Sequence, residues 1–244
     1  MNSKETKPAF YIIKLFIFAM GAFHLYTGFF GTFESFLQRS LHLFFAMMLI
    51  FMLNPYDLKN KALNWLVNGV VLIAIVLSFG YLFVNYDYIL SGRFPYVTPL
   101  TAAETVLAIF FLIILLEAVR KMAGWALALI ALIFIFYGFL GPFLPGMLNH
   151  AGYSLSNILD LNFLNTEGTF GIPLGASATY IALFIMFGAF LAKSGLGGLL
   201  MDLAMGLAGH TKGGPAKVSV IGSALHGMLS GSAVANVLTV GTTT

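Results

Sequence analysis

The sequence has 244 residues, of which 59% are hydrophobic and only 9% charged, with 26 Gly, 25 Phe and no Cys. A soluble domain carries about 25% charged residues, so this chain cannot cover a water-facing surface of ordinary extent and reads as an integral membrane protein. The 12 basic and 9 acidic residues are scattered singly and leave a net charge of +3. That excludes a basic stripe for nucleic acid, and the lack of cysteine excludes disulfides, thiolate metal sites and cysteine nucleophiles.

A helix crossing a hydrocarbon core of about 30 Å needs about 20 apolar residues, so length counts spans here, and six or seven fit. The first apolar run, 9–33, carries Lys14 and His24. It exceeds the apolar core of a signal peptide and lacks a small-residue cleavage site, which predicts a retained first helix. The second, 36–53, stops at Asn54-Pro55, where proline removes a donor and clashes with the preceding turn. The third, 65–84, is flanked by Trp65, Tyr86 and Tyr88, rings suited to the headgroup boundary. A polar loop with Arg93, Pro95 and Pro99 leads to the fourth, 102–119, which Arg120-Lys121 separate from the fifth, 124–144, as a tight antiparallel hairpin. Gly141-Pro142 and Pro145-Gly146 then open a loop to about 169 containing Asn149, His150, Asp160 and Glu167, and the sixth span is 171–192.

Cation placement sets the direction. With a cytoplasmic N-terminus, Lys4, Lys7, Lys14, Lys59, Lys61, Arg120, Lys121, Lys193, Lys212 and Lys217 fall inside, and only Arg39 and Arg93 fall outside. A missed or invented helix would mix the two pools, so the positive-inside rule supports both the span count and the orientation.

Beyond Gly195 the pattern changes. Residues 196–207 are apolar with one acid, Asp202, and too short to cross, which suits an interfacial or elbow helix. Gly213-Gly214-Pro215 breaks the chain; about 13 helix-compatible residues follow over 216–228, rising roughly 20 Å, short of a crossing. Leu229-Ser230-Gly231-Ser232-Ala233 then forms a small polar tip before an apolar stretch seeded with Asn236, Thr239, Gly241 and Thr242. The expected fold is therefore all-α and polytopic, with about six transmembrane helices plus a re-entrant helical hairpin entering from the cytoplasmic side. Irregular backbone at membrane depth is tolerated where it is buried in protein or lines a cavity. Half-helix ends and Ser, Thr and Asn oxygens at such a tip can replace water around a small cation or meet an anionic substrate. Close spacing of small residues, such as Gly227-x-x-x-Gly231, equally serves helix packing, and the residues leave both readings open.

The stretches TEGTFGIPLGASATYIALFIMFGAFLAKSG (166–195) and GGPAKVSVIGSALHGMLSGSAVANVLTVGT (213–242), above all SGSAVAN at 230–236, resemble the large permease of tripartite ATP-independent periplasmic (TRAP) transporters, specifically the fused permeases of the TAXI type. The resemblance covers about 120 residues from around Gly124, and the four preceding spans resemble the small permease subunit in topology. It implies a division into a small-permease-like four-helix scaffold, 1–121, and the start of an elevator-type large-permease domain, 122–244, in a bacterial or archaeal inner membrane. It also implies cation-driven uptake, by sodium or proton symport, of an organic acid delivered by a periplasmic TAXI-type binding protein, with no cofactor. The implied cation and substrate contacts are Ser230, Gly231, Ser232 and Asn236, with Gly241 and Thr242 beside them. The family continues through a second hairpin limb and an inverted second half, so the 244 residues are expected to be a fragment, or to be completed by another chain, and not to transport alone.

Other chemistry is weaker. Ala192-Lys193-Ser194 after Gly188 lacks the glycine and preceding strand of a phosphate loop. The five histidines show no i, i+4 metal pairing; His24 and His226 are the two expected at membrane depth, where a neutral imidazole bonded to helix backbone competes with a proton or substrate role. Glu117 and Arg120 suit an i, i+3 ion pair, and Asp202 suits solvent. His226 and Ser230 share a helix face, but the G-x-S-G pattern of membrane serine hydrolases would need Gly at Met228, so no enzyme is expected. A noncatalytic scaffold is the third reading, resting on the first four spans.

Overall fold

The computed structural model describes residues 7–229 and Val240. These residues form helices and loops with no strand among them, and they divide into two compact units, Met1–Ala178 and Thr179–Thr244. Among the described residues, six helical segments are long and apolar enough to cross a membrane: Phe10–Phe30, Ser35–Leu53, Lys61–Val84, Ala102–Ala123, Trp125–Phe143 and Ile172–Leu191. The protein is an all-α polytopic membrane protein, as the hydrophobic runs predict.

The first unit begins with α1 (Lys7–Phe30), α2 (Ser35–Leu53), α3 (Lys61–Val84), α4 (Ala102–Ala123) and α5 (Trp125–Leu140). Each boundary has a local cause. Glu34 accepts from the amides of Phe36 and Leu37, Asn60 from those of Ala62 and Leu63, and Thr101 and Glu104 cap each other's backbone at the start of α4. The α4–α5 break falls later than Arg120-Lys121: both cations belong to the last turn of α4, and the chain reverses at Gly124, whose φ of 84° is costly for residues with a side chain.

The stretch expected to be a loop up to about 169 contains a further helix, α6 (Leu155–Phe163). Ser154 caps it by accepting from the Asn157 amide, and Ile158, Leu159 and Phe163 bury one face. At nine residues this helix is too short for its periodicity to stand out in the sequence, and packing against α4 supplies its apolar partner surface.

Lipid is as apolar as the protein interior, so aromatic interlock distinguishes inside from outside. The buried centre is a train of rings: Phe44 lies 5.5 Å from Phe79, Phe79 5.7 Å from Phe111, Phe111 5.3 Å from Phe163 and 5.7 Å from Phe170, and Phe170 5.1 Å from Phe36. Phe18, Phe29, Trp65 and Val84 face outward, where hydrocarbon or headgroups solvate them.

Two polar anchors tie the connections to this core. At the end of the bundle holding the N-termini of α3 and α5, the Asn68 side chain pairs with both backbone groups of Tyr56, and Lys121 donates to the Asn54 carbonyl at 2.7 Å. At the opposite end Arg93 and Asp160 form an almost fully buried ion pair at 2.6 Å, and Asp160 also accepts from the Tyr96 amide at 2.7 Å. Burial would lower the Arg93 guanidinium, but the Asp160 carboxylate outweighs it and holds the guanidinium above its ordinary value. Removing one partner leaves a buried charge alone. Arg93→Met should therefore destabilise the protein by about 3–5 kcal/mol in a detergent-unfolding titration, and Arg93→Met with Asp160→Leu should recover most of that loss.

Candidate functional site

Span six is not a continuous α-helix. It starts as α7 (Ile172–Ala176), widens into a five-residue π turn, Ser177–Ile181, and resumes as α8 (Ala182–Lys193). Single π turns inside α-helices occur frequently at functional sites because they loosen the backbone ladder and re-aim side chains.

The first half of this break, and the turn that leads into the span, are held by one face of α2. Gln38 donates to the Ala178 carbonyl at 2.9 Å, Arg39 donates to the Phe170 carbonyl at 2.7 Å, and His42 Nε2 meets the Ser177 hydroxyl at 3.1 Å. Residues 38, 39 and 42 lie within one turn, so a single helix face delivers all three contacts. Gly175 makes room: a Cβ there would fall 2.9 Å from Arg39 Nε.

His24 extends this line into α1. Its Nε2 lies 3.0 Å from His42 Nδ1, and the rings meet edge to face at 5.0 Å. A neutral imidazole offers one donor and one acceptor, so the His24–His42 contact uses one of each and leaves His42 Nε2 complementary to a hydroxyl. Both rings are buried, as are Gln38 and Thr27. His24 is thus partnered chiefly by a second histidine, and His42, which the sequence reading did not place at membrane depth, lies inside span two. The signal was present: the two stand symmetrically about Phe33 in an antiparallel hairpin, nine residues before and nine after it.

The second unit continues from Thr179 with α9 (Leu196–Ala208) and α10 (Gly214–Leu229). They pack through Met201, Ala204, Ala208 and Val218, with Val240 in the same buried cluster. Gly222 sits against the Met201 sulfur, so the small residue sets how closely the helices approach. The 16 residues of α10 rise about 24 Å, short of the hydrocarbon thickness. His226, in its last turn, is buried beside Gly197, and its Nδ1 has no hydrogen-bond partner among the described residues. Asp202 is exposed, as expected. The tip residues proposed for cation and substrate, Ser230, Gly231, Ser232 and Asn236, lie outside the described residues, as do Gly241 and Thr242.

Two further polar groups sit at the ends of the bundle. Glu117 and Arg120 form the expected ion pair with two bonds of 2.6 Å, and Tyr56 donates to Glu117 at 2.8 Å. At the other end Tyr96 donates to Glu167 at 3.0 Å beside a cleft of about 860 Å³ lined by Tyr137, His150, Tyr153 and Asn162. Burial and the Glu167 carboxylate push the Tyr96 phenol up to about 12. No group of three or more metal-ligating side chains occurs among the described residues.

These features define a multi-pass α-helical membrane protein with a broken span and a short helix pair following it. A family model described as the tripartite ATP-independent periplasmic transporter, DctM component, matches residues 110–244. That is more than half of the chain, and the chain belongs to this family of transporter permeases. No curated protein and no solved structure matches it.

Two outcomes test the geometry. Gln38→Leu removes the side-chain donor to the Ala178 carbonyl, and should cost about 1–2 kcal/mol in detergent unfolding. Because a neutral phenol donating to a carboxylate favours its protonated form, Glu167→Gln should bring the Tyr96 ionisation down from about 12 toward its ordinary value, read by NMR of ring-labelled tyrosine.

Proposed function

We propose that this chain belongs to a fused TRAP permease of the TAXI type, which takes up an organic acid handed over by a periplasmic TAXI-type binding protein and draws on a sodium or proton gradient. The family match over residues 110–244 carries the reading, since it spans the broken helix, α9, α10 and the SGSAVAN segment together. Residues 1–121 serve as a small-permease-like scaffold and 122–244 begin the elevator-type domain.

The protein sits in the inner membrane with its N-terminus in the cytoplasm, a direction supported by ten cations on one side against two on the other. The chemistry of the proposed site is non-covalent. Ser230, Ser232, Asn236 and Thr242 offer neutral oxygens, and Gly231 and Gly241 let backbone groups approach, so a small cation and a carboxylate can be held without a resident charge. The absence of Asp, Glu, Lys and Arg from 218 to 244 supports this division of labour.

Uptake by the complete permease with its binding protein, reconstituted in vesicles, tests the reading. Ser232→Ala and Asn236→Ala should each abolish most gradient-driven uptake while leaving the permease folded and inserted. Uptake that is unchanged in both variants would remove the tip from the site, and uptake without any ion gradient would remove the coupling.

A further inference from the structure

At the end of the bundle that carries Lys59, Lys61, Arg120 and Lys121, a groove of about 670 Å³ opens between α3, α4 and α5. That volume is enough for an elongated amphiphile. Its long axis changes character. The mouth holds Tyr56, Glu117, Arg120 and Trp125, whereas the floor is Val71, Ile113, Leu129 and Leu132. From Arg120 to Ile113, and from Trp125 to Leu132, the helices rise about 10 Å, so the apolar floor runs well into one leaflet. Leu129 and Leu132 are exposed on α5, so the groove opens sideways toward hydrocarbon rather than into the protein.

The charges at the mouth are arranged to receive an anion. Glu117 takes Nε and Nη2 of Arg120, leaving Nη1 free for another acceptor, and the guanidinium rests 5.0 Å from the Trp125 ring. The Tyr56 hydroxyl donates to the same Glu117 oxygen, Oε1, that Arg120 Nη2 contacts, and so helps hold the pair in place. Lys121 is positioned by the Asn54 carbonyl and by the Tyr56 ring, 3.9 Å away, and its ammonium keeps further donors. Around this mouth the sequence supplies Lys59, Lys61, Arg120 and Lys121 against Asp57 and Glu117, an excess of two cations.

We propose that this groove binds one acidic phospholipid, its phosphate at Arg120 and Lys121 and the upper part of one acyl chain along Ile113, Leu129 and Leu132. Trp125 lies at the headgroup level, where an indole is both apolar and a donor. Basic pockets between helices at the cytoplasmic surface select anionic headgroups, each nearby cation contributing roughly fivefold in affinity.

Native mass spectrometry of the purified permease, stripped of lipid in detergent and incubated with phosphatidylglycerol or phosphatidylethanolamine of identical acyl chains, tests it. Phosphatidylglycerol should be retained over phosphatidylethanolamine, Lys121→Gln should cut its retention by roughly fivefold, and Leu129→Trp, which fills the floor, should reduce retention of both lipids. Equal retention of the two lipids by the unaltered protein overturns the proposal, as does undiminished phosphatidylglycerol binding in Lys121→Gln or Leu129→Trp. A dimer that Leu129→Trp converts to monomer assigns the groove to a second copy of the chain and likewise overturns it.

Discussion

Inside hydrocarbon every backbone polar group must find its partner within the protein, and this constraint governs where the chain is permitted to be irregular. Span six is irregular at Ser177–Ile181, where α2 presents Gln38 and His42, while Arg39 bonds to the turn that leads into the span. Replacing any of these with an aliphatic residue would remove a polar contact to the backbone or hydroxyl groups of this region. The His24–His42 contact then satisfies α2 in turn from α1, so the polar demand of one broken helix is passed across three elements. The ring train from Phe44 to Phe36 packs the same α2 against α3, α4 and, through Phe163, α6.

The scarcity of charge makes each ionised side chain specific in its placement. Arg93 and Asp160 are buried together and tie the 93–101 loop to α6. Glu104 is buried too, but receives Tyr81 and Thr101 as donors. At the other end, Glu117, Arg120, Tyr56 and Lys121 form a half-exposed group where water and headgroups can reach. Both arrangements follow one rule: a carboxylate near a membrane is stabilised by donors, whether guanidinium, phenol or backbone amide.

Much of this was legible residue by residue. Apolar run length located six spans to within a few residues at most ends, Asn54-Pro55 marked the end of α2, and the spacing of Glu117 and Arg120 foretold their ion pair. Legibility failed where a decision depended on partners distant in sequence. The nine residues of α6 carry too little periodicity to declare a helix without α4 to bury them, and Arg120-Lys121 read as a linker because their role as the closing turn of α4 depends on Gly124. His42 shows the same dependence: a histidine in an apolar run gains meaning only when the facing helix is aligned with it.

By itself the sequence determined that the chain lives in a bilayer, how many times it can cross and which end is cation-rich, because these depend on summed hydropathy and local charge. Its SGSAVAN segment and the residues around it also pointed to the permease family that the family match bears out. The tertiary structure alone decided which polar residues meet: His24 with His42, Gln38 with Ala178, and Arg93 with Asp160. These pairings join residues 18, 140 and 67 positions apart, and no local propensity encodes contacts over such separations. They emerge only when packing sets the register between helices and every polar group left in hydrocarbon has to find a donor or an acceptor.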